Sequence, residues 1–446
     1  MLQEQFTTSH RKSASISEKF SLKHATVYGG ANLLLDYYLG RLKLPELFLE
    51  HLAVHKAAWA SYQMPDIATS LIAGFTLGLH RIHHFEELED DELLALKLGL
   101  PKLPDYTILY KDLEKFDTPE KLASLGKVNQ QILKYLLERE VILDIDSTVE
   151  TAFGGQQMAG VGYNPKHHGR ASYHPLLAFD GLSRSLIHAR LRGGKAHTAE
   201  GFSDFYEECV CQLPSGVHIR FVRLDRGFRG EKVYLFLEDE AKVDYVAKLC
   251  WTSGLMERLS RGALWKRISC DEEIIEVCQL RAQLADWSKD RHVVIIRRRP
   301  ADEPVQGTLF RDLLWNYEAI VTNLDWEPED VWHFYNQRGA AENYIKEMKD
   351  GFGIDHFPTG NFMANWADLL LKMVAYNCFL AFQKELAAPG YKRFTVGRMR
   401  RLFFQVPAVL VRHSRRWTLR LLQSFRRQEA WSQMRASLAA LNPGAT

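Results

Sequence analysis

Cysteine is scarce in this chain: six in 446 residues (Cys209, Cys211, Cys250, Cys270, Cys278 and Cys378), with no CxxC pair among them. That excludes a disulfide-stapled scaffold and a cysteine-built zinc finger, and it leaves reduced thiols of a cytosolic protein as the expectation. Long apolar runs are missing too. The most apolar stretch, Leu369–Phe382, is short and interrupted by Lys372 and Asn377, which fits a core helix and not a membrane span. Residues 1–23 are polar, so no secretory leader is expected. A Gly-rich phosphate loop of the Walker type is absent, which argues against a nucleotide cofactor. There is no internal repeat and no low-complexity tract. Overall charge is nearly absent as well, 57 basic side chains against 55 acidic ones.

That balance hides an uneven distribution. From Lys392 onward there are twelve basic residues, among them Arg393, Arg398, Arg412, Arg416, Arg420 and Arg426, against the single acid Glu429. A segment at +11 points to a polyanionic partner, nucleic acid or an anionic surface. The length suggests two or three domains, and the residues divide by texture. Residues 1–25 read as a flexible arm. Residues 26–138 read as helical, with apolar stripes in LLLDYYLGRL, IATSLIAGFTLGL and ELLALKLGL punctuated by prolines 45, 65, 101 and 104. They suit either a helix-turn-helix DNA module or a plain bundle that also serves dimerisation. Residues 386–446 read as a basic helical region.

At Val141 the pattern changes to strand. VILDIDST alternates, with Asp144 and Asp146 on one face. Strands are expected at Tyr173–Gly181 and Ser185–Gly194, joined by a turn over 181–184. A helix over 198–213, a strand from His218 to Asp225, a helix, and a strand over Asp244–Cys250 complete the run. Three meandering strands followed by helix, strand, helix, strand is the order of a ribonuclease-H-like core: an α/β fold with a mixed five-stranded sheet flanked by helices. Its first part would span 139–250 and its second part 316–385, with a separate β-rich insertion over 251–315 that ends in Arg297, Arg298 and Arg299.

The chemistry centres on Tyr335–Lys349, YNQRGAAENYIKEMK. Taken as one helix at about 100° per residue, Tyr335, Arg338, Glu342 and Lys349 fall within a stripe about 60° wide. Asp146 and Asp225 lie near the ends of strands that neighbour one another in such a core. With Glu342 they would form a carboxylate trio suited to hard octahedral cations, Mg²⁺ with Mn²⁺ as substitute. Two such ions can activate an attacking water or 3′-hydroxyl and stabilise the leaving oxygen of a phosphodiester. Asp144 is the rival to Asp146. Asp146 is preferred because it lies nearer the strand end and is followed by Ser147 and Thr148.

DIDST, LDRGF, the strand-end pair Thr322–Asn323 and Tyr-x-x-Arg-x-x-x-Glu-x-x-x-x-x-x-Lys together resemble the bacterial insertion-sequence transposases of the DDE type, as does GYNPKHHGRASYHPLL over 162–177. The resemblance spans roughly 140–385. It implies that Asp146, Asp225 and Glu342 hold two metal ions, that Arg338 and Lys349 grip phosphates, and that Tyr335 contacts the DNA backbone. Lys166 and Arg170, in a basic loop, and Arg297–Arg299 are further expected DNA contacts. The 117-residue separation of Asp225 and Glu342 fits relatives with a β-insertion, where an aromatic can stack on a flipped base. No tryptophan stands at the obvious place here, and Trp315 and Tyr317 are the nearest candidates. The implied activity is metal-dependent cleavage at terminal inverted repeats and transfer of the freed strands to target double-stranded DNA. A homodimer would pair the two ends, in the cytoplasm beside the nucleoid. A nuclease or resolvase of the same fold, and a transposase-derived DNA-binding regulator, are the rival readings.

Overall fold

The computed structural model describes residues 17–252, 255, 258, 263–269, 272–301, 315–414 and 416–442. Most of the expected N-terminal arm lies outside them. Its last residue already belongs to a strand, β1 (Ala25–Thr26), which pairs with a C-terminal strand.

The N-terminal region is helical: α1 (Ala31–Asp36), α2 (Leu44–His51), α3 (Met64–Leu77), α4 (Glu92–Leu98), α5 (Tyr106–Leu113) and α6 (Pro119–Leu133). Local chemistry sets their ends. Pro65 and the Gln63–Asp66 capping box start α3, and Gly78, at φ +112°, stops it in the left-handed region. Asp105 caps α5 by accepting from the Thr107 amide at 2.6 Å. Thr118 and Pro119 open α6.

The strands that follow are β2 (Glu140–Ser147), β3 (Glu150–Thr151), β4 (Gly160–Val161), β5 (Ala171–Tyr173), β6 (Leu176–Asp180) and β7 (Leu186–Arg190). Helix α7 (Phe202–Gln212), β8 (His218–Leu224), α8 (Glu231–Leu235) and β9 (Asp244–Leu249) come next, then β10 (Lys266–Ser269), β11 (Glu273–Ala282), β12 (Arg291–Pro300) and β13 (Asn316–Thr322). One sheet joins nine of these in the order β10-β11-β12-β13-β9-β8-β2-β6-β7. Strand β2 is parallel to β8 and antiparallel to β6, and β8 is parallel to β9. The five expected strands thus lie side by side, but they do not form a sheet of five. The segment expected to be a separate insertion continues the sheet outward, because β13 pairs with β9 and bonds β12 on its other edge. Val293, Ile295, Val321 and Ala319 take their places in the core that also holds β2 and β8. Strands β3, β5 and β4 make a small sheet of their own.

The remaining helices are α9 (Pro328–Asn336), α10 (Gly339–Phe352), α11 (Phe362–Leu386), α12 (Val396–Met399) and α13 (Gln428–Leu441). Helix α11, capped by the Asn361 side chain, is buried on nearly all sides. Its interior polar groups find partners inside the fold: Lys372 pairs with one oxygen of Asp368 at 2.7 Å, and Asn377 bonds Asn129 and the Leu186 backbone. This is the core helix expected around Leu369–Phe382, and among the described residues no helix is long and apolar enough to cross a membrane.

The C-terminal region is not wholly helical, contrary to expectation. Strands β14 (Ala408–His413) and β15 (Arg416–Leu421) form a hairpin onto which β1 adds. Alternation explains the difference. Ala408 and Leu410 are buried while Arg416, Thr418 and Arg420 are exposed, a period of two that the arginine-rich composition masked.

Candidate active site

The site is assembled by strand register. Asp144 lies opposite Arg223, and Ile145 opposite Leu224, in the parallel β2–β8 pair. One step further, Asp146, still paired with Leu177 of β6, lies near the end of β2 and Asp225 follows the end of β8. Asp144 is fully buried, and Arg223 meets it with both arms of its guanidinium, at 2.6 and 2.7 Å. Arg223 also donates to the Phe334 carbonyl at 3.0 Å, which ties the strand to α9. This aspartate is spent on structure, which separates it from its rival two residues on.

Asp146 is mostly buried, its side chain 13% exposed. Burial pushes its carboxyl above the usual range; Arg338 opposes that rise and Asp225 adds to it. The Ser147 amide donates to it at 2.8 Å, so the following serine orients it through its backbone. Asp225 caps the short turn after β8, accepting from the Gly227 amide at 2.8 Å.

The helix expected over 335–349 is interrupted by one tight turn at 337–338, whose two residues keep right-handed helical dihedrals. Helix α9 ends at Asn336 and α10 starts at Gly339, with the Arg338 amide turning back to the Tyr335 carbonyl at 2.9 Å. Glycine is the poorest non-proline helix former, and here it sits at the restart. Tyr335 is buried in a small apolar cluster with Val246, Ile296 and Val331, near Arg338, Asp225 and Asp146, and burial pushes its phenol up to about 12. Arg338 is buried as well. It pairs with Asp146 at 2.9 Å and donates to the Ile145 carbonyl at 3.3 Å, and its Nε has no partner. Lys349 is held by Thr148 and by the buried Glu150, both at 2.6 Å. Glu342 stands exposed in the first turn of α10, with no hydrogen bond or ion pair among the described residues. The structure thus brings Asp146, Asp225 and Arg338 together, with Glu342 exposed one turn further along. Among the described residues no group of three or more His, Cys, Asp or Glu side chains is placed to hold a metal. The chemistry of the donors still fits a hard cation: two adjacent carboxylates, one of them disfavoured in its charged form by burial and by the other, are what a divalent ion relieves.

Beside Asp225 opens a cavity of about 850 Å³, whose walls include Thr148, Tyr163, Lys166, His197, Arg226, Arg229 and Lys349. Lys166 and Arg170 are exposed on the loop between β4 and β5. Arg226 and Arg229, immediately after Asp225, escaped the sequence reading although LDRGF displays one of them. Glu150 and Arg223 escaped it too, because their roles depend on partners 199 and 79 residues away.

The expected basic ending of β12 is largely neutralised. Arg297 forks onto Glu276 at 2.5 and 2.8 Å and lies between the rings of Trp265 and Trp315, at 4.0 and 4.4 Å from their centroids. Arg298 pairs with Glu318, and Arg299 lies over Trp315. Tyr317 stacks on Trp251, ring centroids 4.8 Å apart. Trp251, Trp265 and Trp315 gather around Tyr317 and Arg297. Thr322 and Asn323 clamp β9, accepting from and donating to the backbone of Tyr245 and Val243.

A family model described as transposase DDE domain, group 1, matches residues 9–443. No curated protein matches the chain. Among solved structures the chain is similar to a piggyBac transposase in a synaptic complex with hairpin DNA, at 12% identity and a TM-score of 0.45, over 92% of this chain and 82% of that one.

Proposed function

Because the chain belongs to the group 1 family of transposase DDE domains, matched over residues 9–443, we propose that it is a DNA transposase of ribonuclease-H-like architecture. It binds the terminal inverted repeats of its own element, cleaves at their ends and joins the freed 3′-hydroxyls to target DNA. The observation that carries this reading is the placement of Asp146 and Asp225 at adjacent ends of the parallel pair β2–β8, beside a cavity walled by Lys166, Arg226, Arg229 and Lys349. The order β7-β6-β2-β8-β9 within the larger sheet supports the architecture.

In this proposal Asp146 and Asp225 hold divalent metal, and Glu342, without a partner among the described residues and just after the turn at 337–338, is the third carboxylate. Mg²⁺ or Mn²⁺, two ions per site, supplies activation of the attacking oxygen and stabilisation of the leaving one. Arg338 holds Asp146 in position. Lys166, Arg170 and Arg229 bind backbone phosphates, and Lys349, once released from Glu150, joins them. Trp315 and Tyr317 are the base-stacking candidates, within a wall that includes Trp251 and Trp265. Pairing of two element ends calls for a homodimer.

The test uses the DNA flanking the gene, with its imperfect inverted repeats, end-labelled and incubated with Mg²⁺, Mn²⁺ or chelator. Wild-type protein is expected to nick at the repeat boundary only with metal. Glu342→Gln is expected to lose cleavage while keeping end binding. Cleavage that ignores the repeats would make the chain a nuclease. Specific binding without any cut would make it a regulator.

A further inference from the structure

Between Leu386 and Gln428 the chain carries no carboxylate at all, and in the middle of this stretch the β14–β15 hairpin stands out from the helices. Its base is fixed. Strand β1 pairs with β14, the Gly29 amide donates to the Val406 carbonyl at 2.9 Å, and a Cβ on Gly30 would come within 1.7 Å of the Phe403 carbonyl oxygen. The register pairs Val409 with Arg420, Val411 with Thr418 and His413 with Arg416. These six residues therefore share one face, while Ala408, Leu410, Leu419 and Leu421 share the other and pack toward the core. His413, Arg416, Thr418 and Arg420 are exposed, and none of the four makes an ion pair or hydrogen bond through its side chain among the described residues. Elsewhere in the described chain Arg41, Arg190, Arg223 and Arg291 all sit on carboxylates.

From these observations we propose that the outward face of the β14–β15 ribbon is a duplex-DNA site that enters the major groove, with Arg416 and Arg420 as its anchoring contacts. The inference rests on the transposase reading and names a part of it that the active site does not. A two-stranded ribbon matches a groove about 12 Å wide and is too broad for a minor groove of about 6 Å. The major groove of A-form RNA is too deep and narrow to admit it. Arg416 and Arg420 lie four residues apart on one strand, about 13 Å, a distance over which each DNA strand presents about four phosphates. A lipid surface would demand an apolar outer face, whereas this one offers only Val409 and Val411, both half-buried, beside its polar residues.

The experiment measures binding of the full chain to a 30-bp duplex carrying a repeat end, by fluorescence anisotropy in chelator across a range of salt concentrations. Replacing Arg416→Ala and Arg420→Ala together should lower affinity roughly tenfold at low salt. It should also reduce the slope of log affinity against log salt by about 2, since each phosphate contact contributes about 0.9. Restoring charge with Arg416→Lys and Arg420→Lys should recover the slope, and all three proteins should melt alike because the side chains are exposed. Methylation of guanine N7, which lines the major groove, should interfere with wild-type binding. An unchanged slope, or indifference to N7 methylation, overturns the inference. So does preferential loss of binding to vesicles containing phosphatidylserine with DNA binding intact. Metal-dependent cleavage by the wild type, absent from Glu342→Gln, tests the transposase reading separately, so either can fail while the other stands.

Discussion

Asp144 and Asp146 lie two residues apart on one face of one strand, and their neighbours give them opposite work. Asp144 is closed off by both arms of Arg223 at zero exposure. Removing one partner of such a buried pair strands the other charge, so Arg223→Ala should cost about 3–5 kcal/mol of stability, read as a lowered denaturant midpoint. Replacing both partners by apolar residues of similar size should cost less. His80 offers a titration with a definite sign. Burial lowers its pKa to about 4, and Arg400 adds to the effect. Its folded value lies below the unfolded one of about 6.5. The neutral ring therefore contributes stability that is complete above about pH 6.5 and is lost as pH falls toward 4. In His80→Gln the acid loss of stability over that window should shrink; an unchanged pH profile by thermal melting would contradict the assignment.

At the scale of the element, the interrupted helix is the instructive case. The periodicity of Tyr335, Arg338, Glu342 and Lys349 is genuine in the sequence, but periodicity reports which residues could share a face and not whether the α-helical ladder continues. Here the hydrogen-bond ladder tightens for one turn at 337–338 while both residues keep right-handed helical dihedrals, with Gly339 at the restart. Helix ends also depend on remote donors. Arg400, buried and with its pKa pushed by that burial down to about 10, donates to the carbonyls of Phe75, Thr76 and Gly351. One guanidinium thus closes the C-terminal ends of both α3 and α10. Arg400→Met should loosen these two helix ends together, seen as faster amide hydrogen exchange in residues 72–78 and 348–353, while Arg401→Met, at an exposed neighbour, should not. The capping residues Asp105, Thr118 and Asn361, by contrast, act within three residues of themselves.

For the whole molecule the decisive feature is the nine-stranded sheet. A segment expected to be an appendage is the continuation of the catalytic sheet, with Glu273–Ala282 paired along its full length to Arg291–Pro300. Excising residues 263–300 should therefore leave the outer edge of β13 unpaired and give insoluble protein, where removal of a true insertion would leave a folded core; fractionation after expression distinguishes the two. Composition, the alternating strands, the capping residues and the two aspartates at strand ends were fixed by local sequence, since each depends on period, turn chemistry or residue type within a few positions. Tertiary structure alone decided which cations are free. Arg297, Arg338 and Lys349 look alike in the sequence as exposed phosphate contacts, yet each is engaged by a carboxylate at least 21 residues distant. Arg416 and Arg420 remain open because no carboxylate among the described residues folds against them. Charge is a property of the residue, but its availability depends on what the fold brings within a few ångströms of it.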